Sequence, residues 1–199
     1  MTRLSQAISE GDGISVIPLL DGDVARLAEI AEAAGAEAVA VRSAEEVPGV
    51  RAASSLPLLV RAEAAGAGEA DAAVLPYEAW GDSGETLEEL NEAVRGAGLE
   101  CVVEVVDEAV LVDVLSRIDP EVILISTPGR EPDETELERA LDLLPDVPAG
   151  KLVIVDSHVP VAPEQVAALE RAGVDAVLVR AREDDFERTV AALTGRAVD

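Results

Sequence analysis

Short apolar segments alternate with longer amphipathic segments along the whole chain. The apolar runs contain roughly four to eight residues between turn-forming residues, which predicts strands buried on both faces, as in a parallel sheet. The predicted strands are Ser15–Leu20, Ala36–Arg42, Pro57–Arg61, Ala72–Pro76, Leu99–Val106, Glu121–Thr127, Leu152–Asp156 and Asp175–Arg180. The pattern therefore indicates a chain in which strands and helices alternate.

The segments between the strands predict helices with one apolar face. Leu87, Leu90 and Val94 recur at helical spacing on one side of such a segment. Several predicted helices end at a glycine, the residue that most readily adopts the left-handed backbone of a C-terminal cap. These glycines are Gly35, Gly98 and Gly173. The crossover Glu63–Glu69 is short and glycine-rich, so no helix is predicted there.

The segment Ala34–Arg42 returns near the C-terminus as Ala172–Arg180. Each copy combines the end of a helix, a short strand and an arginine where that strand ends. Repetition of such units is typical of a closed parallel barrel. We therefore predict a compact (β/α)8 TIM barrel with a short N-terminal extension. Eight units leave no room for a second domain, so residues 1–199 are predicted to form a single domain.

Composition and charge limit the classes of partner. Hydrophobic residues make up 49% of the chain, enough for a full core, and the formal net charge is −26. That charge repels nucleic acid and anionic lipid, so we predict neither as a partner. No apolar run is long enough to span a membrane and Met1 leads into a polar segment, so we expect a soluble, cytoplasmic protein. An acidic, lysine-poor composition fits a protein that works in high salt. A coding bias towards arginine and alanine produces the same pattern, so both explanations stay open.

Residues that bind metals or cofactors are scarce. Cys101 is the one cysteine, which excludes an internal disulfide and predicts a small buried side chain. His158 is the one histidine, so a histidine-rich metal site is excluded, and with Asp156 it supplies only two ligands. No Walker sequence or Gly-x-Gly-x-x-Gly sequence occurs, so we predict no metal and no cofactor.

Several segments are similar to one enzyme family. Gly98–Glu108, Lys151–Ser157 and Ala172–Val179 resemble indole-3-glycerol phosphate synthase, and Ser55–Leu59 and Ala33–Ala36 resemble the family's third strand and first helix. That family is a (β/α)8 barrel of tryptophan biosynthesis, which closes an indole ring on an anilino ribulose phosphate with loss of CO₂ and water. The resemblance covers most of residues 14–195 and implies the same fold and lineage.

The resemblance implies catalytic roles for residues at the strand ends. Glu104 matches the family's fifth-strand glutamate, and Asp156 matches its seventh-strand glutamate with one methylene less. Ser157 keeps the serine that follows. Arg61 replaces the third-strand lysine, which is the family's general acid. A guanidinium does not release its proton near neutral pH, so Arg61 can bind an oxyanion but cannot act as that acid.

Other family positions are changed as well. The first-strand glutamate and lysine align with Leu19 and Asp21, and the sixth-strand asparagine aligns with Ser126. The glycines that bring backbone N–H groups to phosphate after strands seven and eight become His158 and Arg180. Loss of one general acid costs a factor of ~10²–10⁴ in rate. We therefore expect the parent synthase activity to be weak or absent.

Two interpretations of the barrel's C-terminal end follow from these residues. In the first, arginines and an aromatic wall bind a small phosphate or carboxylate metabolite. The candidate catalytic residues are then Glu104, Asp156 and Arg61, and the candidate ligand-binding residues are Arg42, Arg180, Ser157, Ser126, Tyr77 and Trp80. In the second, the arginines and carboxylates neutralise one another and close the barrel end.

The two interpretations predict different functions. The first predicts a diverged relative of the synthase, whose chemistry, if it is an enzyme, is that of a carbon–carbon lyase or a related lyase or isomerase. The second predicts a non-catalytic barrel retained as an interaction or regulatory protein. An enzyme requires the three strand-end arginines to converge on an open cavity, whereas a closed barrel end requires them to be bound to Glu104 and Asp156.

Overall fold

The architecture is a closed barrel of parallel strands. The structure is a computed structural model that describes residues 2–11, 13–61, 67–80, 86–127 and 136–196. Each strand pairs with the next, and the last pairs with the first. The strands are β1 Ser15–Leu19, β2 Val39–Val41, β3 Leu58–Val60, β4 Ala72–Leu75, β5 Glu100–Val105, β6 Val122–Ile125, β7 Leu152–Asp156 and β8 Ala176–Arg180. This confirms the predicted (β/α)8 TIM barrel, while the assignment of residues 1–199 to one domain stays a prediction.

Helices form the layer outside the strands. They are α1 Arg3–Glu10, α2 Val24–Ala33, α3 Val47–Ala53, α4 Tyr77–Trp80, α5 Leu87–Gly96, α6 Glu108–Arg117, α7 Glu136–Leu143, α8 Pro163–Ala172 and α9 Phe186–Leu193. Gly35, Gly98 and Gly173 have φ angles of 91°, 82° and 95°, which confirms the three predicted glycine caps. Residues 62–66, in the crossover predicted to lack a helix, lie outside the described residues. None of the helices in the described ranges is long and apolar enough to cross a membrane.

Two apolar layers hold the barrel together. Inside it, one face of each strand supplies fully buried side chains such as Ile17, Leu59 and Ile154. Outside it, the opposite face of each strand packs against the helices. Leu87 and Val94 of α5 belong to this outer apolar layer, as their spacing predicts. Because both faces are buried, the strands are apolar along almost their whole length.

Helix α1 closes the N-terminal end of the barrel. Leu4 and Ile8 lie one turn apart, are 0% and 3% exposed, and join the apolar interior. The start of the helix is held by Glu100, which accepts hydrogen bonds from the Ser5 backbone N–H at 3.1 Å and from the Thr2 hydroxyl. The short N-terminal extension therefore lies at the end opposite the C-termini of the strands.

The repeated segment has a structural role at that same end. Glu37 and Asp175 occupy the same position in its two copies, one or two residues ahead of strands β2 and β8. Glu37 accepts a hydrogen bond from the Val16 backbone N–H at 2.9 Å, and Asp175 accepts one from the Val153 N–H at 2.7 Å. Burial raises the pKa of both carboxyls, while these hydrogen bonds oppose the rise. The repeat thus preserves a contact between neighbouring strands.

Candidate functional site

Arg61 joins two buried carboxylates at the C-terminal end of the barrel. Its Nη1 atom donates to Asp156 Oδ2 at 3.0 Å, and its Nη2 atom donates to Glu104 Oε1. The side chains of Glu104 and Asp156 are 1% and 0% exposed, so both charges are removed from water. Buried charges require a hydrogen-bonded partner of opposite sign, and Arg61 serves both carboxylates.

Arg180 supplies a second cation to Asp156. Its Nη1 atom lies 2.5 Å from Asp156 Oδ1, and its Nη2 atom lies 3.4 Å from Oδ2. The same Nη1 atom also donates to the carbonyl oxygen of Ser157. Glu104, Arg61, Asp156 and Arg180 thus form a continuous chain of ion pairs, which we call the arginine–carboxylate cluster. With all four groups ionised, its formal charges sum to zero.

Alternation along the strands explains why these side chains meet. Two residues before each member of the cluster stands an apolar residue of the barrel interior, namely Leu59, Val102, Ile154 or Leu178. Side chains of a strand point to the same face at every second position, so the cluster forms the next layer above this apolar interior. The structure therefore brings together the three candidate catalytic residues and one of the candidate ligand-binding residues.

The cluster leaves little free space between its arginines and the apolar interior of the barrel. Among the described residues, a cavity of about 10 Å³ lies between Arg61, Asp156, Arg180 and the apolar side chains beneath them. That volume holds about one water molecule. The arrangement is closer to the interpretation in which charges close the barrel end than to an open pocket.

Arg42 stands apart from the other two strand-end arginines. Its Nη1 atom lies 3.4 Å from Asp21 Oδ2, and both side chains are more than half exposed. The backbone N–H groups of Arg42 and Ser43 donate to the Glu46 carboxylate at 3.1 and 2.8 Å, which turns the chain away directly after β2. The three arginines therefore do not converge as an open active site requires, because this local turn holds Arg42 at the rim.

The two aromatic rings lie in the outer layer. Trp80 is 7% exposed and packs between strands and helices, and Tyr77 packs against the same layer with the ring centroids 5.1 Å apart. Helix α4 begins at Tyr77 directly after β4, and its single turn carries Trp80 outward, where the large apolar ring is buried. The sequence leaves open whether these rings face the barrel opening or the outer helices, and in the structure they lie on the side of the helices. Tyr77 contributes its backbone N–H instead, which donates to Glu104 Oε2 at 2.9 Å.

His158 connects the cluster to Ser126. Its Nε2 atom lies 2.9 Å from Ser126 Oγ and 3.7 Å from Asp156 Oδ2. The other candidate serine, Ser157, donates its hydroxyl to the Val159 carbonyl oxygen at 2.7 Å. Sequence reasoning missed the contact between His158 and Ser126. The one available signal is that both residues lie just beyond the ends of strands β6 and β7, which are neighbours.

Other reactive groups do not add to this site. The described part of the chain contains no group of three or more His, Cys, Asp or Glu side chains placed to hold a metal ion. Cys101 is buried as predicted, and burial raises the pKa of its thiol to about 12. A thiol with that pKa stays protonated at neutral pH and is a poor nucleophile.

Curated relatives match the chain over most of its length. It is 30% identical over 183 residues to indole-3-glycerol phosphate synthase from Geobacillus sp. (strain WCH70), which covers 82% of this chain and 70% of that protein. It is 31% identical over 195 residues to the synthase from Geobacillus thermodenitrificans (strain NG80-2), which covers 88% of this chain and 74% of that protein. The chain belongs to the indole-3-glycerol phosphate synthase family.

A solved structure of another enzyme is similar to this family member in fold. Thiamine phosphate pyrophosphorylase from Pyrococcus furiosus superimposes with a TM-score of 0.68 over 92% of this chain and 94% of that chain, at 15% sequence identity. Identity at that level shows the shared barrel alone. No family model matches the chain. Membership in the synthase family places the chain among the ribulose-phosphate-binding barrels.

Proposed function

We propose that this member of the indole-3-glycerol phosphate synthase family binds a small anionic metabolite at the arginine–carboxylate cluster. The ligand carries a phosphate or carboxylate group. We also propose that the chain has diverged from its relatives and has little or no synthase activity. If it is an enzyme, its chemistry is that of a carbon–carbon lyase or a related lyase or isomerase.

The proposal rests on which charges of the cluster are exposed to solvent. The side chains of Arg61 and Arg180 are 28% and 26% exposed, whereas those of Glu104 and Asp156 are buried. Within the cluster, the two guanidinium groups are therefore the charges that a solute can reach. This cationic face contrasts with a formal net charge of −26 for the whole chain. Guanidinium groups bind phosphates and carboxylates through two parallel hydrogen bonds.

The similar proteins support the same class of ligand. The two Geobacillus relatives and the Pyrococcus furiosus protein are all named for phosphorylated compounds. In the synthase family, as the resemblance implies, a glycine after the eighth strand lets backbone N–H groups reach the phosphate. Arg180 occupies that position here. A guanidinium would then replace backbone N–H groups as the partner of the anion.

Arg61 supports the loss of the parent reaction. It occupies the position of the family's general acid, and both of its terminal nitrogens are bound to carboxylates. With the anilino ribulose phosphate substrate we expect no indole fluorescence above background. Arg61→Lys restores a side chain able to donate a proton and is expected to raise the signal, whereas Arg42→Lys at the rim is not. A turnover of ~1 s⁻¹ in the unaltered protein, an ordinary enzyme rate, would contradict the proposed loss.

Sulfate binding tests the proposed ligand site. The melting temperature is measured in sulfate and in chloride at equal ionic strength, for the unaltered protein, Arg180→Ala and Arg188→Ala. Arg188 lies on α9 and is 80% exposed, which makes it the matched control. At roughly one hundred times the Kd, sulfate is expected to add about 2.7 kcal/mol to the free energy of unfolding. Arg180→Ala should lose this gain and Arg188→Ala should keep it, so equal gains in all three proteins would indicate general salt stabilisation and contradict the proposal.

The small cavity favours a second candidate function. A cluster whose charges sum to zero and whose cavity measures about 10 Å³ also suits a non-catalytic barrel, retained as an interaction or regulatory protein. In that case sulfate stabilises the protein no more than chloride does.

A further inference from the structure

An oxyanion has no room within the layer of the arginine–carboxylate cluster unless an existing ion pair opens. The cavity of about 10 Å³ among Arg61, Asp156 and Arg180 holds about one water molecule, and a tetrahedral oxyanion is larger than that. An anion that enters this layer must therefore take the place of a carboxylate that already binds an arginine.

Asp156 is the carboxylate that such an anion displaces from Arg180. Both terminal nitrogens of Arg180 lie within 3.4 Å of Asp156, so a two-point contact of an anion through these two nitrogens competes with Asp156. Glu104 binds elsewhere, to Arg61 and to the Tyr77 backbone N–H at 2.9 Å. The exchange therefore leaves Glu104 with its partners and deprives Asp156 of one of its two guanidinium groups.

His158 is placed to compensate Asp156 after this exchange. Its Nε2 atom lies 3.7 Å from Asp156 Oδ2, and its side chain is 29% exposed, so it can exchange protons with solvent. Imidazole is the side chain that readily gains a positive charge near neutral pH. The charged groups described around Asp156 are Arg61 from just after β3, Arg180 from β8 and, across Arg61, Glu104 from β5. Ser126 contacts His158 from the end of β6 without charge.

We propose that an oxyanion binds Arg180 and displaces Asp156 from it. We propose further that His158 takes up one proton from solvent when the oxyanion binds. Protonated His158 then replaces Arg180 as the cation beside Asp156. The proposal rests on the proposed function, because the anion must bind at Arg180. Its physical basis is charge balance: a dianion added to a neutral, partly buried cluster leaves an excess of negative charge, and buried negative charge favours protonation of nearby groups.

Proton uptake is measured by calorimetric titration with sulfate, which has no proton of its own to exchange near neutral pH. The titration is repeated in buffers of different ionisation enthalpy at constant ionic strength. In the pH range where His158 is neutral without sulfate and protonated with sulfate bound, the affinity for sulfate is expected to fall about tenfold for each unit rise in pH. Linkage to the uptake of a single proton requires this slope. His158→Gln should bind sulfate more weakly and show no such dependence.

Asp156→Asn provides the complementary variant. It removes the buried carboxylate that needs a cation and frees Arg180, so it is expected to bind sulfate more tightly and without proton uptake. Arg188→Ala, outside the cluster, should retain both the affinity and the proton uptake of the unaltered protein.

The single histidine gives a direct measurement on the unaltered chain, which holds even if a variant fails to fold. One imidazole signal is expected by NMR, and sulfate should move the midpoint of its titration to higher pH. Sulfate binding that depends on Arg180 but leaves the imidazole midpoint in place and takes up no proton would overturn this inference and leave the proposed function standing. Sulfate binding that is absent or independent of Arg180 would instead remove the proposed function.

Discussion

The half-buried carboxylates Glu37 and Asp175 at the N-terminal end of this barrel and the buried Asp156 at the C-terminal end differ in their partners. At the N-terminal end, Glu37 and Asp175 accept hydrogen bonds from backbone N–H groups of neighbouring strands. At the C-terminal end, Asp156 is held by the side chains of Arg61 and Arg180. A backbone partner is fixed by the pairing of the strands, whereas an arginine side chain can turn to another anion.

Because of this difference, the contacts at the N-terminal end serve mainly the stability of the barrel, whereas those at the C-terminal end can also serve ligand binding. The N-terminal end is also sealed, since Leu4 and Ile8 of α1 fill the interior there. The backbone N–H groups that bind Glu37 and Asp175 there are held in place by the paired strands. Contacts at the C-terminal end can be exchanged while the barrel stays closed, which suits the end where TIM barrels bind their ligands.

The largest expected effect comes from Asp71 at the N-terminal end. Its side chain is 11% exposed, binds Arg3 and Arg51, and accepts the Leu58 backbone N–H at 2.8 Å. Asp71→Ala leaves a buried N–H without an acceptor and a largely buried guanidinium without its carboxylate partner, so we expect a loss of about 3–5 kcal/mol in the free energy of unfolding. Urea unfolding measures it, with Asp184→Ala as the exposed control, expected to change it by less than about 0.5 kcal/mol. Equal losses in both variants would contradict the structural role of Asp71.

A smaller effect is expected from Asp156→Asn at the C-terminal end. The arginines that lose a charged partner there are 28% and 26% exposed and can be hydrated. Asn also keeps an oxygen that can accept a hydrogen bond, so we expect a loss of about 1–3 kcal/mol in the free energy of unfolding, less than for Asp71→Ala. The same urea series measures it. A loss as large as that of Asp71→Ala would show that the two ends of the barrel do not differ in the way described.

The smallest effect concerns the pH dependence of stability. Because burial raises the pKa of Glu37 and Asp175, the folded state binds these protons more tightly than the unfolded chain does. Their contribution to the free energy of unfolding is therefore present at acid pH and is lost as the pH rises from the ordinary carboxyl range, about pH 4, through the raised pKa. Glu37→Gln with Asp175→Asn keeps an oxygen that can accept each N–H and should remove this fall.

Urea unfolding at stepped pH tests this expectation. The matched control changes the exposed residues Glu183 and Asp184 to Gln and Asn. An unchanged slope of stability against pH in the Glu37→Gln, Asp175→Asn protein would count against the role given to burial.

The positions of the strands and several helix ends could be predicted from the sequence. Each strand lies within a predicted apolar run, and the caps at Gly35, Gly98 and Gly173 have the expected backbone. These features depend on local periodicity and on the backbone freedom of single residues, which sequence displays directly. The grouping of Arg61 with Glu104 was also within reach, because alternation along the strands and the family resemblance both place them at the same end of the barrel.

Arg42 and Arg180 show what the sequence by itself determined and what the tertiary structure decided. They hold the same position in the two copies of the repeat, so the sequence placed each at a strand end. Only the folded chain shows that the turn bound by Glu46 directs Arg42 to the rim, while Arg180 reaches Asp156 on the neighbouring strand. The contact between His158 and Ser126 was decided in the same way, by the pairing of β6 with β7. Local pattern sets where a side chain begins, but its partner depends on segments that are distant along the chain and adjacent only after folding.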